Sequence, residues 1–178
     1  MPFFSFLNFT GTNYPKIFLM ENTHFDPTDV LILQLLQHDA RLTNKEIADK
    51  TGRSVTPVYE RIKRLEQDGV IEGYKAILNK DKIGRSLIAY TNVQLKEHSK
   101  PMLQAFEKSI VQIEEVLECM HLTGTYDYLL KIAVADIHEY HDFLTNKLAA
   151  LPNIGTVQSG FVMNEVKRSL AFPIRQHN

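Results

Sequence analysis

Thr43 and Glu46 stand three residues apart just ahead of Ile47 and Ala48, and Gly52, Ser54 and Pro57 follow within a few positions. That punctuation leaves the chain little choice. A threonine hydroxyl and a glutamate carboxylate at this spacing reach each other's backbone N–H groups and open a helix. Gly52 permits the positive φ that commonly closes one. Ser54 can then cap a further helix with Pro57 in its first turn, where the missing donor costs little. Upstream, Asp26-Pro27 opens a helix running to about His38, with Asp at the N-cap and Pro at the first helical position. Val30, Leu31, Ile32, Leu33, Leu35 and Leu36 cover too much of its circumference for a simple surface helix, so it should pack on two neighbours. Three helices, the last two joined by a tight glycine-containing turn, describe a helix-turn-helix.

The third helix needs an inner and an outer face. At 100° per residue, Val55, Val58, Ile62 and Leu65 share one arc and form its core stripe. Thr56, Glu60, Lys63 and Arg64 point away, with Pro57, Tyr59 and Arg61 on the flanks. Hydroxyl and cationic side chains on an exposed helix suit phosphates and base edges in a major groove. The candidate DNA-binding set is therefore Arg53, Ser54, Thr56, Pro57, Tyr59, Glu60, Arg61, Lys63 and Arg64. A solvated surface helix is the bland alternative for three cations in a row of turns. Local charge argues against it: residues 41–85 carry 11 Lys and Arg against 7 Asp and Glu, in a chain whose net charge is -1. Clustering of this kind favours a polyanionic partner such as double-stranded DNA.

Beyond Gly69, residues 70–78 read as a short strand or wing, and 79–84 as a polar connection. A domain boundary is expected near residue 85. After it come a strand over 87–95, a helix over 101–111, strands over 115–122 and 126–134, a helix from the cap Asp136 to Leu151, and a last strand over 156–166. The order is βαββαβ, so the expected fold class is α+β: a helix-turn-helix followed by a ferredoxin-like domain with an antiparallel sheet. Two helices cover one face of such a sheet. The other face, expected to carry Tyr, Val and Phe, would favour a face-to-face dimer.

At 178 residues, 44% hydrophobic and 23% charged, the chain matches globular averages and has room for two small domains. No apolar run approaches the length of a membrane span, and the single cysteine, Cys119, allows no internal disulfide. A soluble cytoplasmic protein, with no membrane partner and no cofactor or metal, is the expectation. Residues 1–20 are rich in Phe but lack the layout of a signal peptide. They read as an N-terminal extension, with Met20 as an alternative start.

These elements together carry a resemblance. The stretches D-P-T-D-x-x-I-L (26–33), D-A-R-L-T-N-K-E-I-A (39–48), S-V-T-P-V-Y-x-R-I-K-R-L-E-x-x-G-V-I (54–71), G-T-Y-D-Y-L-L (124–130), L-P-N-I (151–154) and S-G-F-V-M-N-E-V-K (159–167), in that order, resemble the Lrp/AsnC (feast/famine) transcription regulators. The resemblance implies a winged DNA-binding domain over 21–84 and an effector-sensing, oligomerising domain over 85–178. It implies dimers, often octamers of four dimers, and a small-molecule effector, an amino acid, held between dimers. The residues it points to are Gly124, Thr125, Tyr126 and Asp127 with Ser159, Gly160, Phe161 and Val162. Asp127 would accept from the ammonium, and the turn amides would donate to the carboxylate. The plainer reading is that Gly124 makes a tight turn and Asp127 bonds back to it.

Other classes are less well supported by the residues. His138 and His141 share a helix face without a third ligand, and Cys119 lies on an expected buried strand without an activating base. No phosphate-cradling glycine loop occurs. A ligand-independent architectural protein that wraps DNA remains the alternative to a sensor.

Overall fold

The computed structural model describes residues 25–174. The N-terminal extension expected over residues 1–20, with Met20 as an alternative start, lies outside them. The described residues form two compact units, one of residues 25–74 with 169–174, the other of residues 75–168. The division falls earlier than the expected boundary near residue 85, and the C-terminal segment joins the first unit.

In the first unit, α1 (Pro27–His38) opens on a reciprocal cap. Asp26 accepts from Asp29 N–H, and Asp29 accepts from Asp26 N–H. α2 (Asn44–Thr51) opens on the Thr43–Glu46 box and closes at Gly52, φ 65°. α3 spans Val55–Gln67 with Ser54 at its N-cap. Ile32, Leu33, Ile47, Ala48, Val58, Ile62 and Leu65 form the shared core. Val55, expected in the core stripe, is 45% exposed, because the first turn of α3 projects past that core.

The expected strand over 70–78 does not form. Val70 and Ile71 dock on the helical core, and the chain is exposed from Glu72 to Leu78 without a ladder partner. Alternation alone makes no strand when no edge lies alongside it.

The second unit is the βαββαβ arrangement. β1 (Leu87–Leu95), β2 (Val116–His121), β3 (Tyr128–Val134) and β4 (Ile154–Phe161) form one antiparallel sheet in the order β2-β3-β1-β4. α4 (Lys100–Ile110) and α5 (Ile137–Asp142) complete the motif. The second helix was expected to be continuous to Leu151, but Phe143–Leu148 continue α5 in π geometry, with Phe143 and Leu148 buried. β4 ends at Phe161 and not at Val166. Its partner strand begins at Leu87, so the last rung is Val162 N–H to Ile88 carbonyl at 2.9 Å.

Register assigns the faces. Ala89, Thr91 and Val93 are buried and pair with Phe161, Ser159 and Val157, which therefore share the helix-covered face. Phe161 meets Tyr140 of α5 edge-on at 4.9 Å between ring centroids. Thus the open face carries Tyr90, Met120 and Leu129 with polar Asn92 and Gln158, while Val157 and Phe161 of β4 are on the other side.

Candidate nucleic-acid interface and effector turn

The start of α3 leaves its polar groups uncommitted. Ser54 occupies the N-cap, yet its hydroxyl makes no cap bond, and Thr56, Pro57, Glu60 and Lys63 are exposed. Free amides at a helix N-terminus, a spare hydroxyl and a positive dipole end together suit a phosphate. Lys63 is exposed and makes no ion pair among the described residues. Glu60 cannot hold a phosphate, but a carboxylate can accept from a cytosine amino group. Tyr59, half exposed, borders a cleft of about 400 Å³ whose walls include Leu36, Ile47, Ile62 and Tyr74. In that wall Tyr74 donates to Glu66 at 2.9 Å, and burial, with Glu66 adding, pushes its hydroxyl up to about 12.

Arg61 and Arg64 are engaged by α1. Arg61 Nη1 lies 2.6 Å from Asp26 Oδ2 and 2.8 Å from Asp29 Oδ1, and Arg64 Nη2 lies 2.6 Å from Asp29 Oδ2. The Asp29 side chain is only 2% exposed. Both guanidinium groups are thus held by α1, where they fix α3 and neutralise a buried carboxylate. Arg53 likewise turns to Thr28, with Nη2 3.4 Å from its hydroxyl. Of the expected set, Ser54, Thr56, Pro57, Tyr59, Glu60 and Lys63 are exposed without an ion pair among the described residues, while Arg53, Arg61 and Arg64 are engaged by Thr28, Asp26 and Asp29. The residues missed by sequence reasoning are Thr28 and Asp29; the second aspartate of D-P-T-D was the available signal.

In the second unit, Gly124 at φ 125° lets the β2–β3 connection turn, and Leu122 N–H closes it onto Asp127 carbonyl at 2.8 Å. Among the described residues, the amides of Gly124, Thr125 and Tyr126 donate to nothing. Asp127 accepts from none of them. Its Oδ2 accepts from buried Leu95 N–H at 2.7 Å and lies 3.1 Å from His98 Nε2. The carboxylate therefore ties the turn to the end of β1, and Oδ2 is already committed. Tyr126 reaches across to Gln158, donating at 2.5 Å. Gln158 and His98 were not foreseen, since they lie far from the turn in sequence.

Ser159 and Phe161 do not join this turn within one protomer. Ser159 Oγ accepts from Tyr140 Oη at 2.5 Å and from Thr91 Oγ1 at 3.2 Å, while Thr91 and Tyr140 are 3.0 Å apart. This hydroxyl triangle, closed over by Phe161, welds β4 to β1 and α5. Gly160 is on the open face beside Tyr90, and Val162 ends the ladder. Ser159→Ala should leave stability within about 1 kcal/mol of the parent in urea melts, because Tyr140 keeps Thr91 as a partner.

Two family matches follow the two units in broad outline, the second running past Arg168 into the segment that joins the first unit. Residues 25–72 match the winged helix-turn-helix DNA-binding family and residues 88–172 the Lrp/AsnC ligand binding domain. The Bkd operon transcriptional regulator of Pseudomonas aeruginosa is 34% identical over 149 residues, covering 84% of this chain and 97% of that protein. The chain belongs to the Lrp/AsnC family. The leucine-responsive regulatory protein of Escherichia coli K12 is 37% identical, covering 81% of this chain and 88% of the relative. Among solved structures, an L-methionine complex of a transcriptional regulator from Neisseria meningitidis superposes with a TM-score of 0.80 at 34% identity, covering 84% of this chain and 96% of that one.

Membership makes this chain an Lrp/AsnC DNA-binding transcription regulator with a ligand-binding domain, and not an enzyme. Burial, with the Glu107 charge adding, pushes the Cys119 thiol up to about 11, the opposite of an activated nucleophile. Among the described residues no group of three or more His, Cys, Asp or Glu could hold a metal, His138 and His141 included, and no helix is long and apolar enough to cross a membrane.

Proposed function

We propose that this Lrp/AsnC regulator reads specific duplex sequences in the cytoplasm and changes its occupancy when an amino acid binds the Gly124–Asp127 turn of an oligomer. The observation that carries the effector reading is the row of unused amides at Gly124, Thr125 and Tyr126. They offer a carboxylate three donors in an exposed turn. The L-methionine bound by the Neisseria meningitidis regulator supports an amino acid as the chemical class. Ser159 and Phe161 face the opposite side of the sheet, so Tyr126, Gln158 and the turn are the stronger contacts, with the remaining walls supplied by another copy. A ligand held in this way shifts the assembly only by its differential affinity for two states, which leaves both activation and repression open to the protein.

The open sheet face, with Tyr90, Met120 and Leu129, supports an isologous dimer, and dimers join into a larger closed assembly. Paired readers on one dimer would favour a roughly palindromic target through effective concentration. Light scattering that finds a monomer at micromolar concentration would end this part of the proposal.

For DNA, Lys63→Ala should weaken binding to all sequences and reduce the salt slope by roughly one unit, the signature of one lost phosphate contact. Thr56→Ala should relax preference at particular bases. An unchanged slope for Lys63→Ala in filter binding across salt would remove it from the interface. For the effector, calorimetry against the twenty amino acids should give heat with at least one, and that one should alter the DNA complex. Silence from all of them would favour the ligand-independent architectural reading, to which the prior engagement of Asp127 lends some support.

A further inference from the structure

The chain passes between its two units twice, once after Tyr74 and again after Arg168. The second crossing has a built attachment. Phe172 N–H donates to Gln37 Oε1 at 2.6 Å, and Gln37 Nε2 donates to Phe172 carbonyl at 3.3 Å. This pair reproduces one rung of a sheet ladder with a glutamine amide in place of a strand, so it reads the backbone at Phe172 and leaves the ring 81% exposed. Two residues further on, Ile174 packs against the helical core formed by Ile32, Ile47 and Val58. Such contacts are too few to hold a separate peptide in solution. Joined to the rest of the chain, they act at the high effective concentration of a short tether.

The other end of that tether is β4. Its last rung is Val162 to Ile88, and only residues 163–168 separate it from the attached segment. Met163 and Val166 in that span are almost fully exposed, at 96% and 90%. The strand that carries Ser159–Val162 therefore runs directly into the segment bolted to α1. We propose that residues 169–174 are a strap through which β4 of the ligand-binding unit biases the DNA-binding unit, with Gln37 and Ile174 as its anchor points. This deepens, and rests on, the effector reading above. It assigns the route of regulation to the C-terminal crossing. By linkage, DNA held by α3 must act back on the same segment.

The test uses the full chain and hydrogen exchange read by mass spectrometry, with and without a random-sequence duplex at low salt. Adding DNA should slow exchange over 162–174 several-fold in the parent, alongside α3. In Gln37→Ala, and more strongly in Gln37→Ala with Ile174→Asp, the change over 162–174 should vanish while protection of α3 by DNA persists. Alanine at an exposed helical position leaves α1 intact, so Gln37→Ala separates loss of the strap from misfolding. Exchange over 169–174 at the unprotected rate in the parent, or a DNA-dependent change that is the same in the variants, overturns the proposal. A second arm titrates L-methionine and L-leucine into the DNA complex. A parental response that falls several-fold in the double variant supports the strap, and one that survives unchanged overturns it. If neither amino acid affects the parent while the exchange arm holds, the effector reading fails and the strap stands.

Discussion

Replacing Arg61 and Arg64 together by Ala should unfold the N-terminal helical unit at denaturant concentrations where the parent is native, and not simply loosen its hold on DNA. The reason is the carboxylate they leave behind. Asp29 is 2% exposed at its side chain and gives one oxygen to each guanidinium, at 2.8 and 2.6 Å. Without them it is a buried anion with no cation, and breaking a buried pair from one side costs about 3–5 kcal/mol. That is a large part of the about 5–15 kcal/mol that holds a typical domain together. Arg61, 29% exposed, should contribute more than Arg64, which is 51% exposed and better hydrated. Adding Asp29→Asn to the double variant removes the stranded charge and should restore part of the loss, a coupling that a double-mutant cycle measures. If the arginine variant melts in urea with the parent and only its DNA affinity falls, both side chains belong to the DNA surface.

Acid should act on the same contact. Burial by itself would raise the Asp26 pKa, but the Asp29 amide and the Arg61 guanidinium outweigh it and hold the carboxyl below its ordinary 3.8. A depressed carboxyl contributes stability that is present above the ordinary value and lost as pH falls through the folded one. Glu46, held low by the Thr43 amide and hydroxyl, has the same sign. Stability of the helical unit should therefore decline as pH drops through and below about 4. In Arg61→Ala the part of that decline due to Asp26 should shrink.

These contacts also mark what could be read in advance. Caps are local: Asp26, Thr43 and Gly52 announce helix ends because every partner lies within four residues, and the helices begin and end there. The Arg61–Asp29 pair spans 32 residues, so a helical wheel shows which flank Arg61 occupies but not what α1 offers to it. The same limit applies to β4. Alternation along 156–166 was visible, yet which half of it faced the helices depended on the pairing of Ser159 with Thr91. The turn at Gly124 was legible from its glycine. The commitment of Asp127 was not, because Leu95 and His98 reach it from the far side of the sheet motif.

Gly155→Ala should be the most damaging single methyl group in the ligand-binding unit. A Cβ there would stand 2.7 Å from Gln94 carbonyl oxygen and 3.3 Å from both Leu95 C and Lys96 N. All three are backbone atoms, so no side chain can swing aside. The strand cannot easily retreat either. Asn153, at φ 69°, accepts from Lys96 N–H through its carbonyl at 3.0 Å, and its side-chain amide brackets Glu97 at 2.9 and 2.8 Å. These bonds pin β4 to β1 beside the register shift at Val93 and Leu95. Overpacking of this kind costs about 1–3 kcal/mol. For a unit of this size, about 2 kcal/mol corresponds to roughly 8–16 °C in Tm. Gly160→Ala is the matched control: its Cβ would meet only Tyr90 carbonyl oxygen, at 4.0 Å, and its Tm should move by no more than a few degrees. Equal melting of the two variants would mean that β1 and β4 do not approach as closely at Gly155 as at 2.7 Å. The displacement should also reach the hydroxyl triangle, because Ser159 follows Gly155 on the same strand and meets Tyr140 only in this register. Tyr140 fluorescence or exchange of α5 should then change in Gly155→Ala and stay parental in Gly160→Ala, a local signature that general destabilisation would not reproduce below the melt.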